Sequence, residues 1–256
     1  MKSPAPSAPV GVGPVRAAWR IVRSVLHGLH GILVCALVFP FLDAAARMLR
    51  VGWWSARMLQ LLGIEVRGSG AMQPGPVLLL ANHVSWLDIL AINAVQPARF
   101  VSKADVRHWP LLGYLVASGG TLFIERERKR DALRVVHQVA DALKTGATIA
   151  VFPEGTTGEG PQLLPFHANL LQAAIATGAP VQPVALRYDA GGAPFSAAVV
   201  WIGETSLAES VWRIASSSSL QVQVNLLPAM QTTAVERRAL AESVRARIQA
   251  AVNASR

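Results

Sequence analysis

Three features of the chain predict an α/β fold, a mixed sheet flanked by helices, with an N-terminal membrane-associating helical segment ahead of it. Beyond residue 64, short apolar runs alternate with longer amphipathic stretches, the pattern of strands covered by helices. Val77 to Ala81 is the clearest run, five apolar residues that suit a buried strand. Residues 1–60 are apolar and basic together, with seven Lys and Arg against Asp43 alone, a net +6.

Taken in order, residues 1–14 carry Pro4, Pro6, Pro9 and Pro14 between small residues and are expected to be disordered. Residues 15–63 form the membrane-associating segment. A helical pattern starts at Ala17, and Gly31 to Leu42 is a run of twelve residues without a polar side chain that Pro40 should end or kink. A full span needs about 20 apolar residues. Met48 to Leu62 then places Trp53 and Trp54 beside Arg50 and Arg57, a mixture that suits the headgroup region. Arg16, Arg20 and Arg23 precede the apolar run and Arg47, Arg50 and Arg57 follow it. Such a tie is expected if both ends stay on the cytoplasmic side and the segment dips in without crossing, which places the protein on the cytoplasmic face of the inner membrane. A cleaved leader is disfavoured, because the basic region is long and the next segment is itself arginine-rich.

Residues 64–256 form the globular domain. Strands are expected at Ile64–Arg67, Val77–Ala81, Arg99–Ser102, Thr121–Arg126, Thr148–Phe152, Val181–Leu186, Ala197–Ile202 and Leu220–Leu226. The clearest helix is Arg128–Lys144, with Ala132, Val136, Val139 and Leu143 on one face. Another runs from about Ala234 to Val252, where Thr233 and Glu236 have the spacing of a capping box.

Composition narrows the function. Of the +9 net charge only +3 belongs to residues beyond 60, so the globular part lacks the basic face that nucleic-acid binding needs. The arginines flank an apolar run instead, which points to a lipid surface as partner. Cys35, the single cysteine, rules out an internal disulfide and a cysteine metal cluster. His27 and His30 make no metal site by themselves, and no metal is expected.

The chemistry concentrates at Asn82-His83-Val84-Ser85-Trp86-Leu87-Asp88, just after the Val77–Ala81 strand. Imidazole can take a proton near pH 7, and a carboxylate can orient it and stabilise the imidazolium. Five positions on a straight helix separate two side chains by about 140°, so His83 and Asp88 meet only if His83 lies in the loop and Asp88 in the first helical turn. On spacing alone a plainer reading stands level: Asp88 caps the helix and His83 is a satisfied loop histidine. Ser85, three residues before Asp88, reads as a helix cap rather than a nucleophile, because no G-x-S-x-G elbow surrounds it.

Two further strand ends tip the balance. Thr148–Phe152 runs into Pro153-Glu154-Gly155-Thr156-Thr157-Gly158, a turn that presents backbone N–H groups and hydroxyls to an anion or oxyanion. The strand at Thr121 ends in Arg126, placed to fork onto a phosphate or carboxylate.

In this order the segments resemble the glycerolipid acyltransferase family, the 1-acylglycerol-3-phosphate O-acyltransferases and their relatives. The residues that carry the likeness are Asn82, His83 and Asp88; Gly120, Phe123, Ile124 and Arg126; Phe152 to Thr156; and Val181, Pro183 and Val184. The resemblance covers roughly residues 65 to 190 and makes 64–256 an acyltransferase domain. It implies that His83 is the general base, that Asp88 orients it, and that Arg126, Glu154, Gly155, Thr156 and Thr157 lie against substrate, with Glu154 more a holder of the turn than a ligand. It implies acyl-coenzyme A or acyl carrier protein as co-substrate, with no resident cofactor. The acceptor it implies is 1-acyl-sn-glycerol-3-phosphate. Thr157, however, stands where many members acting on that lipid carry arginine. Glu154 to Gly158 with Leu164-Pro165-Phe166 is similar to the branch that acylates lyso-ornithine lipid. The rival readings are an ester hydrolase, in which Ser85 or water attacks, and a non-enzymatic lipid-binding module that survives loss of His83.

Overall fold

The computed structural model describes residues 11–124, 129–191 and 195–254. Val77–Ala81 is the strand around which it is built: all five side chains are buried, Val77, Leu79 and Ala81 toward one core and Leu78 and Leu80 toward another. Only a strand with helices on both faces buries every residue in this way. The strands are β1 (Ile64–Ser69), β2 (Val77–Ala81), β3 (Arg99–Lys103), β4 (Leu122–Ile124), β5 (Thr148–Val151), β6 (Val181–Ala190) and β7 (Leu220–Leu226). They lie in one sheet in the order β1-β7-β6-β2-β5-β3-β4. β7 runs antiparallel to β6, and every other neighbouring pair is parallel, so the sheet is mixed.

The helices are α1 (Pro14–Leu37), α2 (Ala44–Leu62), α3 (Leu87–Val95), α4 (Leu112–Ser118), α5 (Lys129–Lys144), α6 (Leu171–Thr177), α7 (Leu207–Ser216) and α8 (Arg237–Ala254). One core joins Leu59 and Leu62 of α2, Leu87 and Ile92 of α3 and Ile214 of α7. The other joins Val139 and Leu143 of α5, Leu171 of α6 and Val244 and Ile248 of α8. The chain therefore leaves β2 toward one face and β5, its neighbour, toward the other. Where adjacent parallel strands part in this way, a crevice opens at their C-terminal ends.

Two expectations are corrected. Ala197–Ile202 is no strand: it forms a short 3-10 turn at Ala197–Val199 followed by extended chain. β6 already has β2 and β7 on its two edges, so no partner edge is open beside it. The segment crosses the end of the sheet instead, with Trp201 N–H donating to the Val84 carbonyl at 3.2 Å. At α8 the cap is Glu236 rather than Thr233, its carboxylate accepting from Ala239 N–H at 2.8 Å. Of the expected Thr121–Arg126 strand, Leu122–Ile124 is observed; Arg126 lies outside the described residues, as do residues 1–10.

The N-terminal segment is a helical hairpin. Pro14, whose missing N–H is no loss at a first helical position, opens α1. Asp43 caps α2 by accepting from Ala46 N–H at 2.7 Å. The helices interlock reciprocally: the Trp54 indole N–H donates to the His27 carbonyl at 3.1 Å, and His27 Nε2 lies 3.0 Å from the Trp54 carbonyl. Gly31 permits this approach, because a Cβ there would sit 2.5 Å from Trp54 Nε1. Arg20 ties α1 to the end of α7, donating to the carbonyls of Ala215 (2.9 Å) and Ser217 (2.8 Å). α2 buries Leu59 and Leu62 beneath the sheet, each a contribution of about 1.5–3 kcal/mol. The outer side stays apolar and open: Leu26, Leu33, Leu37, Phe41 and Leu49 are exposed, Phe41 by 86%. Such a patch is far larger than the scattered exposed residues of an ordinary soluble surface.

Candidate active site

The site begins where β2 stops. Asn82 is buried and bonds both backbone groups of Leu186 on β6, its amide donating to the carbonyl at 2.9 Å and its oxygen accepting the N–H at 2.8 Å. That clamp carries the pairing of β2 and β6 one residue past the strand and turns the chain toward α3. His83, Val84 and Ser85 form the loop, and Asp88 sits in the first turn of α3.

Asp88 is fully buried and surrounded by donors. Its Oδ2 lies 2.8 Å from His83 Nδ1 and accepts the N–H groups of Val84 (2.7 Å) and Ser85 (2.9 Å). Its Oδ1 accepts the Tyr188 hydroxyl of β6 at 2.6 Å. Four donors thus converge on this one carboxylate at the start of α3. With Nδ1–H donating to Asp88, the lone pair of the ring is on Nε2, which has no partner among the described residues and belongs to a ring lining the main cavity. Phe152 stacks on the imidazole with centroids 4.0 Å apart and planes 10° apart, and Phe100 backs Phe152 at 5.7 Å. Ser85 does not cap with its side chain. The Asp88 carboxylate reaches back to the loop amides instead, and the Ser85 hydroxyl is buried with no hydrogen-bond partner among the described residues, His83 included.

Glu154 holds the neighbouring turn to this loop. It is buried; Oε1 accepts His83 N–H at 2.7 Å and Oε2 accepts Leu164 N–H at 2.8 Å. Burial raises its pKa, while the Leu164 and His83 amides and the His83 charge pull the other way. Its carboxylate is thus directed at backbone and not at the cavity. Gly155 adopts φ +77°, which a side chain would strain, and its N–H closes the turn onto the Phe152 carbonyl at 3.1 Å. Gly158 N–H donates to the His83 carbonyl at 2.7 Å. Thr157 donates its hydroxyl to the Trp201 carbonyl, which ties the turn to the crossing segment. Thr156 is exposed, and Gly155, Thr156 and Thr157 all line the cavity. The amides of Thr156 and Thr157 make no hydrogen bond within the described residues.

The cavity has a volume of about 1040 Å³ and runs from His83 between the helical hairpin and the segment around α4. Val25, Leu29 and Ile32 of α1 and Leu112, Leu115 and Val116 of α4 give it apolar walls. The size and lining suit a hydrocarbon chain with its reactive end at the imidazole. No group of three or more His, Cys, Asp or Glu capable of holding a metal occurs among the described residues.

Sequence reasoning reached His83, Asp88 and the Glu154 turn but missed Tyr188 and the Phe152 stack. A signal for Tyr188 existed. Alternation along β6 puts positions 186 and 188 on one face, and a buried tyrosine hydroxyl needs a partner.

Comparison with known proteins gives the family of the chain. The acyltransferase family model matches residues 63–187. The chain is 36% identical over 243 residues to the lyso-ornithine lipid O-acyltransferase of Pseudomonas aeruginosa, covering 95% of this chain and 89% of that one. It is 38% identical over 192 residues to the 1-acyl-sn-glycerol-3-phosphate acyltransferase of Neisseria gonorrhoeae, covering 75% of each. The crystal structure of the 1-acyl-sn-glycerophosphate acyltransferase of Thermotoga maritima superposes with a TM-score of 0.65 at 21% identity, over 92% of this chain and 97% of that one, and has the same fold. The chain belongs to the acyltransferase family, and it is an enzyme of O-acyl transfer in lipid biosynthesis.

Proposed function

We propose that the protein moves a fatty acyl group from an acyl thioester to the free hydroxyl of a lysolipid, with His83 as general base. The observation that carries this is the His83–Asp88 pair at the head of an apolar cavity, with Nε2 free to take a proton. Nε2 removes the proton of the acceptor hydroxyl as that oxygen bonds to the thioester carbonyl carbon. The tetrahedral oxyanion is offered the amides of Thr156 and Thr157. Its collapse breaks the carbon–sulfur bond, and the imidazolium returns the proton to the departing thiolate. Asp88 stabilises the imidazolium between those steps. No protein nucleophile is needed, since proximity of two bound lipids supplies much of the acceleration. The thioester is acyl-coenzyme A or acyl carrier protein.

The exposed apolar side of the hairpin suits a lipid surface, and Arg20 supports a monotopic seat. It fastens α1 to the globular unit, and α2 leads directly into β1, so both ends of the hairpin return to the same side. α1, with 24 residues, is by length and composition long and apolar enough to cross a membrane. A lateral seat on the cytoplasmic face leaves the arginines on both flanks in the headgroup region.

Lysophosphatidic acid is the first acceptor to test. Lyso-ornithine lipid is the second, supported by a relative of that name that aligns through the hairpin lining the cavity, and by the uncharged Thr157. Purified full-length protein, a labelled acyl-coenzyme A and both acceptors in one tube decide between them. His83→Ala should abolish transfer while leaving the protein folded; turnover within tenfold of wild type would remove His83 from the mechanism.

A further inference from the structure

We propose that Tyr188 is a positioning residue of the acyl-transfer site, its phenol holding the Asp88 carboxylate and thereby setting the orientation and proton affinity of His83. The inference rests on His83 as the base. It goes beyond the pair of residues named in the sequence motif, and Tyr188 falls just outside the matched segment 63–187.

The two carboxylate oxygens of Asp88 are not equivalent. Oδ2 carries His83 and two loop amides, whereas Tyr188 is the partner of Oδ1 among the described residues. Without the phenol, Oδ1 is a buried charged oxygen with no donor among the described residues, and the carboxylate is oriented through Oδ2 alone. The phenol is itself well fixed. Tyr188 is fully buried on β6, two residues after Leu186, whose backbone Asn82 clamps on both sides. One short stretch of β6 therefore holds the loop before His83 and the carboxylate behind it. Burial, then the charge and hydrogen bond of Asp88, push the Tyr188 pKa well above its usual value, so the hydroxyl stays a donor throughout the working range.

The sign of the effect follows from charge. Neutral His83 with ionised Asp88 is a site of charge −1, and protonation of His83 brings it to zero. A hydrogen bond donated to the carboxylate favours the more negative state and so lowers the proton affinity of the pair. Removing it must raise the pH below which His83 is protonated and inactive. The other ionisable groups are unchanged by the substitution: Glu154 faces the His83 amide, and His30, Cys35, Arg50, Lys103 and Asp105 line the same cavity.

The test is the pH–rate profile of the full-length protein with palmitoyl-coenzyme A and an oleoyl lysophosphatidic acid, beside a thermal melt. For Tyr188→Phe, which keeps the ring and removes only the hydroxyl, the acid limb should move up by roughly half a pH unit or more. Turnover should fall at neutral pH with KM little changed. A second variant covers the case in which Phe fails to fold. The chain has 2 tyrosines, Tyr188 and Tyr114. In a Tyr114→Phe background, biosynthetic replacement of tyrosine by difluorotyrosine leaves one fluorinated phenol, a stronger donor, and should move the acid limb down. Opposite shifts from the two changes establish the role. An acid limb that stays in place in either folded variant overturns it, even if turnover drops. Activity of His83→Ala tells the two failures apart: an inactive His83→Ala with an unmoved limb refutes only the role of Tyr188, whereas an active one refutes the base itself.

Discussion

Asp88→Asn changes one oxygen to an amide nitrogen, and the structure specifies what that does. Three donors converge on Oδ2 and one on Oδ1. Asparagine will place its oxygen where the three converge and turn its NH2 toward Tyr188, whose hydroxyl can rotate to accept. The tautomer of His83 is then preserved. The loss is of charge: four charge-assisted bonds become neutral ones, that of Tyr188 with its direction reversed, each weaker by about 0.5–1 kcal/mol, for a destabilisation of roughly 2–4 kcal/mol. For a chain of this size that lowers the melting temperature by roughly 5–15 °C. Catalysis suffers more, because the imidazolium loses its counter-charge in a site shielded from water. Turnover should fall roughly a hundredfold to ten thousandfold. Initial rates at saturating donor and acceptor, read on protein shown by circular dichroism to be folded, give the answer. A variant within tenfold of wild type would mean that Asp88 only caps α3 and ties down its loop, and the plainer reading of the motif would stand.

Two further outcomes separate the alternatives. Ser85→Ala should keep full transfer and raise stability slightly, since it removes a buried hydroxyl that lacks a partner; a dead but folded Ser85→Ala in a lipid-release assay would instead favour a hydrolase. Thr157→Arg should shift competition between lysophosphatidic acid and lyso-ornithine lipid toward the phosphate by roughly tenfold if position 157 meets the headgroup. Because Thr157 is bonded to the Trp201 carbonyl, Thr157→Val serves as the control for losing that tie. An unchanged acceptor ratio with a lowered melting temperature in both variants would assign Thr157 to holding the rim.

The sequence alone determined the parts of this protein whose physics is local. Val77 to Ala81 announces a buried strand because the apolar run is short and follows the breakers Pro74, Gly75 and Pro76. His83 and Asp88 can touch only across a loop-to-helix junction, and α3 opens at Leu87. The hairpin was legible as an apolar and basic helical segment broken near Pro40, although the mutual lock of its two helices through His27 and Trp54 was not. Tertiary structure decided what depends on distant partners. Ala197–Ile202 has strand-like residues, but β6 was already paired on both edges, so that segment closed over the site. Glu154 was legible as a holder of its turn more than as a ligand, but the groups it holds were not: its oxygens accept the amides of His83 and Leu164, which only the folded sheet brings near. Tyr188 lies 100 positions from Asp88. Alternation along β6 gives its face, and no local pattern gives its partner, because that partner is set by the order in which β2, β6 and α3 pack.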